Sequence, residues 1–386
     1  MFIKIYGFLK GESMIFLDNA GTTKMFDECG ATYTHFACEE FFNPSAVSRE
    51  SARVHSEIES TRRVCLKKLG ALTGTVIFTS GATESNNLAI KGSKKNGDFE
   101  YVFSYGEHPS VFNVARSLEL SGQKVHFVDL NEAGKVDTEK LKEVLSPKTR
   151  LISIMLVSNE TGAINDVKEI VALKNQYAPR AVVHIDAVQG FMKILFSVED
   201  LGVDMVSFSA HKFHGPKGVG GLYVRNLNLI KNIVDGGGQE YNLRSGTENV
   251  PAIMAIKTAL EKIDVKENFK RTTHLKEVFN ETLENCEGIK ILDFGGSPYI
   301  EVLLFSCVKG ETMLHALDEK GVIVGLGSAC SAKKAGNRIL ENIGYNKEEI
   351  ISSVRISFNA YMTEDEVKSA GEIIKKTYAE MLERLK

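Results

Sequence analysis

A lysine and an aspartate each stand where an apolar run gives way to a turn. Lys212 follows the run at residues 205–208, and glycine and proline come soon after it, so the chain turns sharply there. The amine of such a lysine could form a Schiff base with an aldehyde cofactor. Asp186 ends another apolar run about one βα unit earlier, and its carboxylate could keep the ring nitrogen of a pyridine cofactor protonated.

Both side chains are expected at one edge of a sheet, because α/β proteins bind their ligands at the carboxyl ends of the strands. Each also has an ordinary interpretation when taken alone. Lys212 would be a solvated turn residue, and Asp186 would cap the helix that follows it.

A loop rich in small residues and hydroxyls, at residues 79–87, has the outline of a phosphate site. Gly81, Ala82 and Thr83 lie between a predicted strand and a predicted helix. Free N–H groups at the helix start, the helix dipole and the Thr83 hydroxyl favour a dianion, and Gly81 permits a close approach of the backbone. The loop matches neither a Walker motif nor a dinucleotide fingerprint, and an ordinary capped helix start is the alternative.

Cys330 ends a Gly-Ser-Ala-Cys loop and is followed by Lys333 and Lys334. Nearby positive charge lowers the pKa of a thiol and raises its thiolate fraction, and about a dozen irregular residues suggest a functional lid. The alternative is a surface segment with an incidental cysteine. The six cysteines show no C-x-x-C pair, so we predict neither a disulfide framework nor a metal site, and we expect a reducing, cytoplasmic setting.

Two further side chains have the right chemistry for ligand binding. Arg355 lies inside a strand-like run and could fork onto a carboxylate; a surface ion pair is the alternative. His108 follows a predicted strand and precedes a predicted helix, where it could stack on a flat cofactor or move protons, although most single loop histidines do neither.

The elements that position these residues alternate along the chain. Short β-branched and aromatic runs are separated by segments of helical period, which predicts an α/β fold with a parallel sheet covered on both faces. Past residue 249 long helical patterns dominate. For 386 residues we predict two domains, a large one at residues 15–260 and a small one at residues 261–386 that also includes residues 1–14.

The composition excludes several classes of protein. Lysine and arginine number 47 against 50 acidic residues, a net charge of -3, so a nucleic-acid binder is disfavoured. No apolar run approaches the ~20 residues of a membrane helix. The opening nine residues are interrupted by Lys4 and Gly7 and make a poor secretory signal, and Met14 is an alternative start.

Taken together, the motifs resemble those of cysteine desulfurases of the NifS and IscS type, in the class V aminotransferase group of fold-type I pyridoxal-phosphate enzymes. The resemblance extends from about residue 17 to residue 361, and the matching segments are residues 79–87, 184–189, 207–218, 244–247 and 327–330. It implies a fold-type I architecture, pyridoxal 5'-phosphate as cofactor, L-cysteine as substrate and a homodimer.

The resemblance also implies a role for each matching residue. Lys212 would be the Schiff-base lysine, Cys330 the nucleophile that becomes a persulfide, and His108 the residue that stacks on the cofactor ring and helps to move protons. The remaining cofactor and substrate ligands would be Asp186 at the pyridine nitrogen, Gln189 at the ring oxygen, Ala82, Thr83, Ser209 and His211 at the phosphate with Thr247 from the neighbouring subunit, and Asn159 and Arg355 at the substrate carboxylate.

Some positions depart from the family pattern. Gly21 stands where alanine is common and Arg49 where histidine is usual, and the serines often found before the cysteine loop are replaced by Gly325 and Leu326. The acceptor protein is left open between iron–sulfur cluster assembly and tRNA thiolation. Selenocysteine lyase is the alternative activity, and a catalytically idle partner protein is a third interpretation.

Overall fold

The computed structural model describes residues 14–326 and 337–385. Its strands are β1 (Ile15–Leu17), β2 (Thr75–Thr79), β3 (Glu100–Ser104), β4 (Lys124–Val128), β5 (Thr149–Met155), β6 (Val182–Asp186), β7 (Met205–Ser209), β8 (Gly220–Val224), β9 (Ile289–Leu292), β10 (Ile300–Phe305), β11 (Val322–Val324) and β12 (Ser353–Ser357). Its helices are α1 (Asp27–Cys38), α2 (Arg49–Lys68), α3 (Ala82–Gly92), α4 (Pro109–Leu120), α5 (Thr138–Val144), α6 (Val167–Tyr177), α7 (Val198–Leu201), α8 (Val250–Lys262), α9 (Val265–Leu283), α10 (Gly310–Asp318), α11 (Arg338–Ile343), α12 (Lys347–Ile351) and α13 (Glu364–Arg384).

A central sheet contains β2, β8, β7, β6, β5, β3 and β4 in that order. The pairs from β4 through β7 are parallel, whereas β8 runs antiparallel to both of its neighbours. The predicted α/β class with a mostly parallel sheet is confirmed. Strands β3, β5, β6, β7 and β8 are buried along their whole length, as expected where helices cover both faces of a sheet.

Two hydrophobic cores flank this sheet. Side chains alternate across a strand, so neighbouring residues enter different cores: Ile77 packs with α3 and α4, while Phe78 packs on the face covered by α2 and α8. The parallel pairing of β5, β6 and β7 places their carboxyl ends at the same edge of the sheet. Several of the residues predicted to bind the cofactor lie at these ends.

A third core lies mainly in the later part of the chain. Strands β12, β10 and β9 form an antiparallel sheet, and β1 pairs in parallel with β11. Residues 15 and 17 pack in this core with α9, α10 and α13. The two-domain division stays a prediction, and we propose that β1, which we had placed in the larger unit, belongs to the smaller one. Among the described residues, no helix has both the length and the apolar character needed to cross a bilayer.

Candidate functional site

A cavity of about 650 Å³ opens at the carboxyl ends of β5, β6 and β7. It brings together every described residue predicted for the site except Thr247. The predicted residues that line it are Ala82, Thr83, His108, Asn159, Asp186, Gln189, Ser209, His211, Lys212 and Arg355. The sequence prediction that these distant segments meet at one sheet edge therefore agrees with the geometry.

Lys212 lies in a short 3-10 turn that directly follows β7. Its Nζ donates to the carbonyl oxygens of Ala20 and Gly21, at 2.6 Å each. Burial lowers the pKa of Lys212 to about 8, with Arg355 contributing in the same direction, so a substantial fraction of this amine is neutral slightly above neutral pH. A neutral amine is the form that can act as a nucleophile or as a base.

Asp186 is the last residue of β6 and is only 2% exposed. Its Oδ2 accepts from Asn86 Nδ2 at 2.8 Å, and its Oδ1 accepts from the Val188 backbone N–H at 3.0 Å. Both oxygens therefore have fixed partners, and the carboxylate is held in one orientation at the floor of the cavity. Such an anion suits a protonated ring nitrogen.

His108 is the residue that precedes α4 and caps it. Its Nδ1 accepts from the Ser110 backbone N–H at 3.1 Å and lies 2.8 Å from Ser110 Oγ. The residue lines the cavity and is accessible from it. Burial lowers the pKa of His108, Asp186 opposes this effect, and Lys212 reinforces it.

Gln189 is fixed by two hydrogen bonds at the other side of Lys212. Its Oε1 accepts from Lys193 Nζ at 2.7 Å, and its Nε2 donates to Ala20 O at 3.0 Å. Lys193 itself is 5% exposed, and burial lowers its pKa to about 7. The buried ammonium thus determines which end of the Gln189 amide is the acceptor.

The predicted phosphate corner lies where α3 begins. Gly81 has a φ of 146°, and a Cβ there would lie 3.4 Å from Ser209 Oγ, so the loop backbone passes close to the end of β7. His211 Nδ1 lies 3.1 Å from Thr22 Oγ1, and burial lowers the pKa of His211 to about 4. At neutral pH this ring is uncharged and supplies one N–H donor.

Arg355 reaches the cavity from β12, in the three-stranded sheet. Its Nη1 donates to Asn159 O and its Nη2 to Asp18 Oδ1, both at 2.8 Å. Among the described residues, Arg355 Nε and Asn159 Oδ1 are buried without a hydrogen-bond partner. Buried polar atoms normally have partners, so these two atoms indicate a place where a polar ligand would bind.

Two predicted residues are not placed at this cavity. Thr247 lines a smaller, neighbouring cavity that also contains Arg244 and Ser80, and Arg244 Nε donates to Glu84 Oε1 of α3 at 2.9 Å. Cys330 lies outside the described residues. Within the described part of the chain, no group of three or more metal-ligating side chains is present.

Sequence reasoning missed several buried polar residues around the cavity. Asn86 and Lys193 were not singled out, nor was Glu107, whose Oε1 accepts from Ser104 Oγ at 2.6 Å and from the Met155 N–H at 2.9 Å. Burial raises the pKa of Glu107 to about 8. Asn86 and Glu107 both lie inside or beside motifs that we had identified, which was the available signal.

Comparison with known proteins identifies the family. Residues 15–369 match the class-V aminotransferase family. The chain is 37% identical over 365 residues to a NifS/IcsS protein homolog of Lactobacillus delbrueckii subsp. bulgaricus, which covers 92% of this chain and 94% of that protein. It is 34% identical over 371 residues to cysteine desulfurase IscS of Dictyoglomus turgidum, with 94% of each chain covered.

Solved structures give the same result. A NifS-like protein superposes with a TM-score of 0.89 at 32% identity, covering 94% of this chain and 99% of the other. SspA in complex with cysteine superposes with a TM-score of 0.80 at 28% identity, covering 91% and 100%. The fold, the cavity at the strand ends and these matches agree, and the chain belongs to the class-V aminotransferase family.

Proposed function

We propose that this chain is a pyridoxal-phosphate-dependent cysteine desulfurase, which converts L-cysteine to L-alanine and leaves a persulfide on Cys330. The observation that carries the proposal is the convergence of Lys212 and Asp186 on one cavity. An amine with a lowered pKa and a buried, oriented carboxylate are the two groups that this chemistry requires. The relatives called cysteine desulfurase and the SspA structure with cysteine support the same substrate.

The residues that line the cavity fit pyridoxal phosphate. Lys212 would bind its aldehyde carbon, Asp186 would face the ring nitrogen, and Gln189 would face the ring oxygen. His108 would lie against the ring. The phosphate would be held by the remaining predicted ligands: the backbone of Ala82, the side chains of Thr83, Ser209 and His211, and the partner subunit's Thr247.

When bound, the cofactor supplies a sink for the electrons released at the substrate α-carbon. Arg355 and Asn159 bind the substrate carboxylate, and the unpartnered Arg355 Nε is one donor available for it. Lys212 in its neutral form accepts the α-proton, and His108 assists proton movement.

Cys330 then performs the sulfur transfer as a thiolate. Its sulfur forms a bond to the substrate sulfur while the substrate C–S bond breaks, and the electron pair of that bond stays with the organic fragment. This fragment takes up protons and leaves as alanine, so the persulfide is the only oxidised sulfur product. No other oxidant is needed.

The experiment that tests this function combines absorbance with mass spectrometry. Purified protein should carry a visible-edge absorbance band that Lys212→Ala abolishes and that Lys91→Ala, an exposed α3 control, retains. After incubation with cysteine, the mass should increase by one sulfur located on Cys330. Protein that stays colourless after reconstitution with pyridoxal phosphate would refute the proposal.

Alanine release from cysteine separates the enzyme from selenocysteine lyase. Selenium leaves more readily than sulfur, so a lyase does not need Cys330. We expect Cys330→Ser to stop alanine release from cysteine, whereas undiminished release would favour the lyase.

We further propose a homodimer with shared active sites and a cytoplasmic location. The persulfide sulfur would go to an acceptor protein, either an iron–sulfur scaffold or a tRNA-thiolation enzyme. Incubating the sulfur-loaded protein with each purified acceptor class, and following the labelled sulfur, assigns the acceptor.

A further inference from the structure

A hydrogen-bonded chain of four side chains connects the floor of the cavity to the start of α4. Asn86 Nδ2 donates both to Asp186 Oδ2, at 2.8 Å, and to Ser110 Oγ, at 2.9 Å. Ser110 Oγ lies 2.8 Å from His108 Nδ1. The two residues in the middle of this chain have no role in the function proposed above.

The directions of these bonds determine which nitrogen of His108 carries the proton. The Ser110 backbone N–H points at Nδ1 from 3.1 Å, and a backbone N–H can only donate, so Nδ1 accepts and is unprotonated. The Ser110 hydroxyl accepts from Asn86 and therefore has its own proton available for Nδ1. A neutral imidazole carries one N–H, which places it on Nε2.

The orientation of the Asn86 amide is fixed as well. Asn86 is fully buried, and its Oδ1 is without a hydrogen-bond partner among the described residues. Turning the amide over would place this oxygen against the Asp186 carboxylate and remove both donated bonds. The observed orientation is therefore the one that serves Asp186 and Ser110 together, although it leaves a buried oxygen unpaired.

We propose that Asn86 and Ser110 are positioning residues that hold His108 neutral with its proton on Nε2 and couple its orientation to that of Asp186. The catalytic meaning rests on the proposed function. The nitrogen turned away from α4 is then a donor, so His108 delivers a proton to the reacting groups, and removal of the α-proton belongs to Lys212.

The charges that face His108 come from four elements. Asp186 ends β6, Glu160 follows β5, Lys212 follows β7, and Arg338 begins α11. The two anions favour a charged ring, and the two cations oppose it. Burial lowers the pKa of His108, and donors to the lone pair of Nδ1 oppose protonation further.

Nitrogen-15 NMR of histidine-labelled holoenzyme reads the tautomer directly, without reference to turnover. The His108→Gln variant identifies the signals of this ring. We expect the parent to show a proton on Nε2 alone at neutral pH. In Ser110→Ala the titration midpoint of His108 should rise by about half a unit to one unit, because one hydrogen bond to Nδ1 is lost.

Matched variants make the result specific. Ser110→Thr restores the hydroxyl and should restore the midpoint of the parent. Ser117→Ala removes an exposed hydroxyl from the same helix and should change nothing. Asn86→Ala should raise the midpoint in the same direction as Ser110→Ala.

A parent ring protonated on Nδ1, or doubly protonated at neutral pH, would overturn the proposal, as would a Ser110→Ala midpoint equal to that of the parent. Alanine release from cysteine, measured on the same samples, tests the proposed function separately. A parent with the expected tautomer and no turnover contradicts the function alone, and an active parent with the wrong tautomer contradicts this inference alone.

Discussion

Among single residues, Lys193 is a buried charge to which the proposed reaction assigns no chemical step. Its Nζ contacts Gln189 Oε1 at 2.7 Å, and burial lowers its pKa to about 7. An ammonium with no acceptor capacity can only donate, so it forces the oxygen of the Gln189 amide toward itself. The Nε2 end then donates to the carbonyl oxygen of Ala20, a residue that lines the cavity.

We expect Lys193→Met to give a more stable and less active protein. Methionine has similar length and avoids a buried cation, so the free energy of unfolding should rise by about 1–3 kcal/mol at pH 7. Turnover should fall because Gln189 loses its fixed orientation. Urea unfolding and alanine release measure the two effects.

The stability gained by Lys193→Met should depend on pH, and the direction of that dependence follows from the pKa of Lys193. The pKa of Lys193 is lowered in the folded protein, so between pH 7 and about 10 the unfolded chain binds more protons and the stability of the parent rises with pH. The advantage of the methionine variant should therefore be largest at or below pH 7 and shrink toward pH 10. Lys168→Met, on the exposed side of α6, is the control. A constant advantage would contradict this account.

Residue chemistry at strand ends was the predictable part of the site. Asp186 and Lys212 could be placed together because parallel strands bring their carboxyl ends to one edge. Asn86 and Lys193 could not, since an amide in a helix and an amine in a turn have the sequence pattern of solvated residues. Only the packing of α3 and of the segment after β6 against the sheet buries them.

At the scale of elements, the close approach of β8 to the loop before α3 shapes the phosphate corner. A Cβ on Gly220 would lie 2.4 Å from Phe208 O and 2.8 Å from Gly81 Cα. Gly220 is also the register partner of Ser209. Glycine is therefore needed here for space between two backbones.

Gly220→Ala should destabilise the protein by about 1–3 kcal/mol and weaken retention of the cofactor, because the backbones of Gly81 and Phe208 must move away from the new methyl group. Thermal unfolding and absorbance after dialysis report the two effects. Gly30→Ala in α1 is the control. A Cβ there would lie 3.6 Å from Met25 Cε, which is an ordinary contact, so this variant should raise the free energy of unfolding by about 0.5–1 kcal/mol. Parent-like behaviour of Gly220→Ala would show that the corner can relax.

Several elements followed from periodicity alone, and others did not. The β-branched and aromatic runs of the sequence predict strands at residues 75–79, 124–128 and 322–324, and the observed strands have these bounds. Helix α1 was missed because only one of its residues, Cys29, is buried, which leaves almost no apolar stripe. The antiparallel direction of β8 was not predicted either, since a buried strand has the same pattern in both directions.

At the scale of the whole molecule, Arg355 connects the three-stranded sheet to the ends of strands in the other two sheets. It extends from β12 to Asn159 after β5 and to Asp18 after β1. Its backbone also pairs with Gly325, through bonds of 2.8 and 3.0 Å. Arg355 thus links the cavity wall, the proposed substrate site and the residue that follows β11.

We expect Arg355→Lys to raise the KM for cysteine by about tenfold to a hundredfold, since an ammonium cannot fork onto a carboxylate as a guanidinium does. Steady-state alanine release measures it, and kcat should fall less. Arg63→Lys, an exposed site on α2, should behave like the parent. A fall in kcat alone would place Arg355 outside substrate binding.

The role expected for Thr247 cannot be tested within one chain. In this chain it lines a neighbouring cavity, and the role expected from the resemblance needs a second subunit, which neither periodicity nor spacing can position. The two-domain division has a similar limit, because β1 reaches the later core across hundreds of residues through a pairing that local pattern does not encode.

Both flanks of the segment that contains Cys330 are fastened to the walls of the cavity. On one side Gly325 is bonded to Arg355; on the other, Arg338 donates to Tyr105 O and to Glu107 O beside His108. The ten residues 327–336 therefore lie between two anchored flanks, and residues there other than Cys330 can be changed without removing these contacts. Exchanging the residues around Cys330 between relatives, with Cys330 itself kept, should redirect delivery of the product sulfur while alanine release from cysteine stays intact.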